Sequence, residues 1–168
     1  MRHLPAWKFC PQCAAPLLAK ELNGAARWVC GEERCGFIHW ANPTPVVAAL
    51  IEYDGQALLV RAQGWPDKVF GLVTGFLEPV ETPEDAIRRE IQEELALRVE
   101  ALTWIGSFSF PQQNQVLLCW HARCVGEIAL SEELVDTKRV PWSSLRPWPF
   151  GTGLAVERWL AMNPPSEG

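Results

Sequence analysis

Apolar residues lie along the middle of the chain in short runs of the kind that form buried β-strands. Two such runs, 46–52 and 56–61, flank the triplet Tyr53-Asp54-Gly55, which is typical of a tight turn. They predict a β-hairpin. Further strands are predicted where β-branched and aromatic residues are frequent, over 69–74, 102–110 and 116–124.

Two helices are predicted beside these strands. Thr82 suits an N-cap position and Pro83 suits the first helical position, with acidic residues in the turn that follows. Isoleucine or leucine then recurs every four residues, which predicts one buried stripe, at Ile87, Ile91 and Leu95. A second helix is predicted over about 153–162, because Pro164 follows it. A β-rich chain with few helices indicates the α+β class.

Length and composition describe a folded, acidic protein. The chain has 168 residues, of which 48% are apolar, and this suits one medium domain with a small satellite. The net charge of −5 argues against a broad basic surface for nucleic acid, although a small polyanion can still bind where a metal supplies positive charge. Neither a membrane span nor an apolar leader is evident, so we expect a cytoplasmic protein that does not associate with membranes.

Four cysteines form two close pairs near the N-terminus. The spacing is C-x2-C and then C-x4-C, with sixteen residues between the pairs, at Cys10, Cys13, Cys30 and Cys35. Four thiolates bind Zn²⁺ tetrahedrally and leave no open position, which predicts a structural zinc ribbon. Two disulfides are the alternative, and a reducing compartment disfavours them. Cys119 and Cys124 are interpreted as buried thiols on opposite faces of one strand.

The order of these patterns predicts two modules. Residues 1–40 are assigned to the zinc ribbon and residues 46–168 to the larger domain. The segment 41–45 contains Pro43 and Pro45, which restrict the backbone and interrupt regular structure, so it is interpreted as a linker.

Three glutamates occupy one face of the first predicted helix. Glu90, Glu93 and Glu94 stand at i, i+3 and i+4, about a quarter turn away from the apolar stripe. Like charges so close repel one another, and hard cations that prefer carboxylate oxygens, such as Mg²⁺, offset this repulsion. The pattern therefore predicts a metal site at the edge of a cleft. A solvated acidic helix face is the alternative.

The residues around these glutamates resemble the Nudix box. Gly75 is followed after five residues by Glu81, and after seven more by Arg89-Glu90-Ile91-Gln92-Glu93-Glu94. One fixed position differs, since Ala96 stands where the family has glycine. The resemblance implies a mixed β-sheet sandwiched by helices, and a Mg²⁺- or Mn²⁺-dependent hydrolase of diphosphate linkages. It implies metal ligation by the three helix glutamates and by the Gly75 carbonyl, with Arg89 as an orienting residue paired with Glu81 or Glu93.

A zinc ribbon followed by such a domain resembles the NADH pyrophosphatase branch of that superfamily. The Ser-Gln-Pro-Trp-Pro-Phe-Pro signature of that branch is largely lost here, where residues 107–113 read Ser-Phe-Ser-Phe-Pro-Gln-Gln. A similar string at 147–150 lies about 50 residues past the box, too far along the chain to be the same signature. A dinucleotide or an ADP-ribose-like compound is therefore the expected substrate, and a capped RNA end is the one nucleic acid that remains conceivable.

Candidate residues for substrate binding and for a further acid lie outside the box, where no contiguous motif identifies them. Phe108 and Phe110 share one side of an extended segment, where they could stack on a base or fill the core. Gln112 offers amide groups to polar parts of a substrate. Asp136 is the candidate for a downstream acid, in competition with Glu132 and Glu133.

Two further expectations concern the whole protein. The main alternative to an enzyme is a non-catalytic regulator that senses nucleotides or binds nucleic acid through its ribbon. The complete set of box glutamates favours the enzyme. A homodimer is also expected, because the resembling enzymes are dimers and the nine tryptophans could bury an interface.

Overall fold

A computed structural model describes residues 7–164, which divide into two compact units between Pro43 and Thr44. The first unit contains an antiparallel sheet in which the middle strand pairs with both neighbours. Its strands are β1 (Leu17–Leu22), β2 (Ala25–Cys30) and β3 (Ile38–His39). The segment predicted as a linker, 41–45, is shorter than expected, because Thr44 and Pro45 already pair with the neighbouring strand of the second unit.

A six-stranded mixed sheet forms the centre of the second unit. Its strand order is β7-β8-β4-β5-β9, and β6 pairs with the remaining part of the β4 edge. Strands β4 and β8 run parallel, whereas the other pairs are antiparallel. The strands are β4 (Thr44–Tyr53), β5 (Gln56–Ala62), β6 (Val73–Phe76), β7 (Arg98–Phe110), β8 (Gln115–Val125) and β9 (Leu134–Val140).

One helix covers each face of this sheet. The helices are α1 (Pro83–Leu95) and α2 (Gly153–Met162). Alternate residues of β4 point to the two faces, because side chains alternate along a strand. Val47 and Ile51 pack with the Ile87-Ile91-Leu95 stripe of α1, whereas Leu50 packs with α2. A central strand buried on both faces explains why segment 46–52 is apolar throughout, and the sandwiched mixed sheet predicted from the sequence is confirmed.

Helix α1 begins and ends as its local sequence dictates. The Thr82 hydroxyl accepts a hydrogen bond from the Asp85 backbone N–H at 3.2 Å, and Pro83 occupies the first turn. At the other end, Ala96 adopts the left-handed conformation (φ 58°), and its N–H donates to the Gln92 carbonyl at 3.0 Å. The helix therefore ends through the geometry that glycine adopts most easily, although alanine occupies the position.

The remaining elements match the sequence expectations at the hairpin turn and the buried thiols, and differ from them at strands β6 and β9. Asp54 and Gly55 both have positive φ, the arrangement of a tight hairpin turn, as predicted. Strand β6 begins at Val73, four residues later than expected. Strand β9 was not expected, because it is an edge strand with a largely polar, exposed sequence. Cys119 and Cys124 are buried on opposite faces of β8, as predicted. In the described range, neither helix has the length and apolar character to cross a bilayer.

Candidate active site

The three box glutamates lie on α1 in different environments. The side chain of Glu93 is 59% exposed and that of Glu90 is 14% exposed, whereas Glu94 as a residue is only 8% exposed. Burial, together with the negative charges of Glu90, Glu133 and Glu93, raises the pKa of Glu94 to about 8. Its Oε2 atom is buried and has no hydrogen-bond partner among the described residues. A buried carboxylate oxygen without a partner, surrounded by like charges, is suited to a cation.

Gly75 makes room for Glu90. Strand β6 pairs with β4 so that Gly75 stands opposite Val47, beside the box helix. A Cβ atom added to Gly75 would lie 1.9 Å from Cδ of Glu90, far inside normal contact distance. A side chain at position 75 would therefore force the Glu90 carboxylate out of the place it occupies here. The close approach of Glu90 also brings the backbone of Gly75 next to the carboxylate group.

Arg89 joins the loop before the helix to the acids on the helix. Its guanidinium donates to both carboxylate oxygens of Glu81 (2.8 and 3.1 Å), to Glu90 (2.8 Å) and to Glu93 (3.0 Å). It also donates to the Phe76 carbonyl at 3.1 Å. The hydrogen bonds from Arg89, followed by the one from a backbone N–H, lower the pKa of Glu81. The orienting contacts expected for Arg89 are present in the structure.

A cavity of about 870 Å³ adjoins these residues. One part of its lining is charged, and it comprises Lys68, Glu78, Arg89, Glu90, Glu93 and Glu133, with Gly75 beside Glu90. Another part is aromatic, and it comprises Trp65, Phe70, Phe76, Phe110, Trp148 and Phe150. Lys68 and Arg89 are the basic residues among the described lining residues. The cavity therefore combines a largely acidic region with an aromatic, apolar region, which is the kind of lining that small-molecule sites have.

The downstream acid near the box glutamates is Glu133 rather than Asp136. Asp136 lies on β9 opposite Arg61, to which it is ion-paired at 3.8 Å, and it is not among the residues lining the cavity. Glu133 precedes that strand, and its carbonyl accepts a hydrogen bond from the Gln63 N–H at 2.7 Å. Glu133 lines both the large cavity and a smaller one of about 460 Å³ that includes Glu94. Of these two acids, Glu133 and not Asp136 therefore lies beside the box glutamates.

The residues expected to bind substrate are only partly at the cavity. Phe110 lines it, whereas Phe108 packs against the core on the α2 side without lining it. Gln112 is exposed in a 3-10 turn after β7 and is not a lining residue, although Gln115 is. Trp148 and Phe150 line the cavity with Phe110, although they were not expected at the site because they lie far from the box along the chain. The aromatic string at 147–150 was visible in the sequence, but its distance from the box along the chain could not show that it reaches the cavity.

The four N-terminal cysteines converge in the first unit. Their sulfur atoms all lie within 4.8 Å of one another, at Cys10, Cys13, Cys30 and Cys35. The closest sulfur pairs are 3.4 and 3.7 Å apart, near the separation of roughly 3.8 Å that tetrahedral Zn–S bonds of 2.3 Å give. All four are free thiols, so the disulfide alternative does not describe this structure. Backbone N–H groups of Gln12 and Glu32 point to sulfur at 3.4 Å, as in metal knuckles.

Comparison with known proteins identifies the family. The model of the NUDIX domain matches residues 42–156. The chain therefore belongs to the Nudix family, and the family predicted from the sequence is confirmed. It is similar to the NAD-capped RNA hydrolase NudC of Pseudomonas putida (28% identity over 150 residues), covering 88% of this chain and 53% of that protein. It is also similar to the NAD-capped RNA hydrolase NUDT12 of Macaca fascicularis (29% identity), covering 82% of this chain and 32% of that protein.

Solved structures agree with this placement. A NUDIX hydrolase from Nitrosomonas europaea superposes with a TM-score of 0.73 and 24% identity, covering 94% of each chain. A MutT NUDIX hydrolase from Burkholderia pseudomallei superposes with a TM-score of 0.59 and 27% identity, covering 70% of this chain and 98% of that one. The first likeness supports the fold.

Proposed function

We propose that this protein hydrolyses the diphosphate linkage of a nucleoside diphosphate derivative, with Mg²⁺ or Mn²⁺ bound by the acids of helix α1. The observation that carries this proposal is the placement of the three box glutamates at two cavities that share Glu133. Glu90 and Glu93 line the larger cavity, where Gly75 leaves room for Glu90, and Glu94 lines the smaller one. Family membership supports the same reaction class.

The residues present fit a divalent cation. Carboxylate oxygens are the ligands that Mg²⁺ and Mn²⁺ prefer. Glu133, from the segment before β9, lies close enough to the acids on α1 to interact electrostatically with Glu94. The unpartnered Oε2 of Glu94 marks the buried side of the site. We assign metal binding to Glu90, Glu93, Glu94 and the Gly75 carbonyl. A bound cation would polarise the diphosphate and lower the pKa of a coordinated water.

The other side chains would bind and orient the substrate. Arg89 holds Glu90 and Glu93 by hydrogen bonds, so the carboxylates keep their positions when the substrate enters. Lys68 lines the cavity and offers a positive charge to a phosphate. Glu133 faces the box acids from the chain before β9, and we assign it the task of accepting a proton from the attacking water.

For the first unit we propose one structural Zn²⁺ held by the four cysteines. Burial would raise the pKa of Cys10, but hydrogen bonds from the Gln12 and Cys13 backbones and from neighbouring thiols lower it to about 7. Burial and the neighbouring thiols instead raise the pKa of Cys30 to about 12. Without a metal the cluster therefore favours a thiolate at Cys10, and a bound Zn²⁺ would stabilise the thiolate form of all four.

The substrate class follows from the cavity. A volume of about 870 Å³ is sufficient for a dinucleotide or an ADP-ribose-like compound. Relatives named as NAD-capped RNA hydrolases support a nucleotide joined through a diphosphate. Because the NADH signature is broken, we expect NADH and ADP-ribose to be hydrolysed with comparable kcat/KM.

A panel of diphosphates tests this function. NADH, NAD⁺, ADP-ribose, nucleotide sugars and NAD-capped RNA are incubated with the full chain in Mg²⁺ or Mn²⁺, and the products are identified. We expect metal-dependent cleavage between the two phosphorus atoms, and near-complete loss of turnover in Glu93→Gln without loss of fold. Binding of these nucleotides without turnover in either metal would instead indicate the regulator considered above. A preference for NADH of about a hundredfold or more, or about 2.7 kcal/mol, would contradict the expected substrate range.

A further inference from the structure

Glycines allow aromatic rings to line the large cavity closely. A Cβ at Gly153, the first residue of α2, would lie 1.9 Å from the carbonyl oxygen of Trp148 and 2.6 Å from its indole ring. A Cβ at Gly71 would lie 3.0 Å from the ring of Trp65. Both positions therefore favour glycine, and the indoles of Trp148 and Trp65 pack directly against the backbone at Gly153 and Gly71.

A third glycine lies next to Phe110 at an ordinary contact distance. Gly151 has φ +53°, and its Cβ position would lie 3.5 Å from the Phe110 ring. The segment from Trp148 to Gly153 therefore contacts both the end of β7 and the start of α2. This placement explains how a string far from the box in the sequence reaches the cavity.

The cavity aromatics are not all used to build the core. Trp65 is 41% exposed and Phe150 is 57% exposed, whereas Trp148 and Phe110 are half-buried against the α2-side core. Exposed aromatic side chains gathered around a concave surface mark a ligand site more often than isolated ones do. The half-buried rings of Trp148 and Phe110 are held by packing against the core, whereas the exposed rings of Trp65 and Phe150 remain accessible to a ligand.

The same cavity continues to Gly75, Glu90 and Glu93, which supports one particular occupant. A substrate whose diphosphate lies at these acids would extend its neighbouring groups along the lining. A planar base can stack on aromatic faces, and Gln115 and Thr152 on the lining offer hydrogen bonds to its edge. Aliphatic groups would gain burial but not this stacking.

We propose that Trp148, together with Phe150 and Trp65, binds the planar base of the diphosphate substrate and so selects ring-bearing nucleotides. This inference rests on the function proposed above, because it takes the diphosphate to lie at the box acids. The aromatic string after β9 thereby supplies a stacking surface in a chain that lacks the usual signature after the box.

A matched pair of ligands separates base recognition from phosphate recognition. AMP carries a base, whereas ribose 5-phosphate shares its sugar and phosphate without a base. Binding of each to the full chain in Mg²⁺ is measured by calorimetry for the wild type, Trp148→Ala and Trp148→Phe. We expect Trp148→Ala to weaken AMP binding by about tenfold or more, since stacking on one aromatic ring has that value. Ribose 5-phosphate binding should be unchanged, and Trp148→Phe should restore most of the AMP affinity.

Two further variants guard against a folding defect. Phe150→Ala removes a well-exposed ring and should show the same AMP-selective loss. Trp104→Ala is the control, because Trp104 is a 49% exposed tryptophan on β7 that does not line the cavity. Its ring packs on that of Trp120, with 4.7 Å between the ring centroids. This control should leave both affinities unchanged.

The outcomes distinguish this inference from the proposed function. Equal weakening of both ligands, or undiminished AMP binding in Trp148→Ala and Phe150→Ala, would overturn base recognition even if diphosphates are hydrolysed. An AMP-selective loss without any hydrolysis of the diphosphate panel would support the base site and refute the proposed enzyme activity.

Discussion

Replacing Gly75 by alanine should sharply reduce activity while leaving the fold intact. The added Cβ would lie 1.9 Å from Cδ of Glu90, whereas ordinary contacts begin at 3.4 Å. The carboxylate must therefore move by about 1.5 Å, several times the tolerance of about 0.2 Å in metal–ligand distances. A displacement of this order costs about a hundredfold in rate, or about 2.7 kcal/mol in transition-state binding.

The expected effect on stability is small. Gly75 does not have the positive φ that disfavours other residues, and alanine in a strand is generally favoured over glycine by about 0.5–1 kcal/mol. Glu90 lines an open cavity, so its side chain can swing away without disturbing the core. Activity and unfolding free energy should therefore respond separately to this substitution.

The assay is kcat/KM for ADP-ribose at saturating Mg²⁺, together with urea unfolding of the same proteins. A double-mutant cycle with Glu90→Gln identifies the route of the effect. If Gly75→Ala acts through Glu90, it should cost little further activity once Glu90 is already altered. Wild-type kcat/KM in Gly75→Ala would refute the reasoning, and fully additive losses would show that the alanine acts elsewhere.

Three other measurements test separate parts of the structure. Ala96→Gly should stabilise the protein by about 1 kcal/mol, because it relieves the left-handed strain at the end of α1, and unchanged or lower stability in urea unfolding would contradict this. In metal-free protein, the pKa of Glu94 is raised above its unfolded value of 4.5 to about 8, so ionising it opposes folding. Wild-type stability should thus fall relative to Glu94→Gln as pH rises from 4.5 to about 8 and then level off; a pH-independent difference would exclude this cause. Elemental analysis should find one zinc per chain, lost when any ligand is replaced by serine, and protein without zinc would reverse the assignment to Cys10, Cys13, Cys30 and Cys35.

Local patterns were enough to predict the elements that depend on neighbouring residues. The boundaries of α1 follow from Thr82 and Pro83 at its start, and its buried face follows from a stripe spaced at four residues. The hairpin turn follows from Asp54 and Gly55, which tolerate positive φ. Helix spacing also places the three box glutamates together without any knowledge of the rest of the chain. Strand β9 escaped prediction because an exposed edge strand has no apolar pattern.

The sequence by itself determined the family, the box helix with its acids, and the cysteine pairs, because each depends on spacing within one element or on a contiguous motif. Only the tertiary structure decided which distant residues join the site. Asp136 is nearer than Glu133 to Trp142 along the chain, yet the sheet register pairs it with Arg61. Glu133 instead lines the cavity beside the box acids. Trp148 lies beside Phe110 because α2 crosses the sheet face next to the end of β7. Contacts of this kind depend on how separate elements pack, and the order of residues along the chain does not specify them.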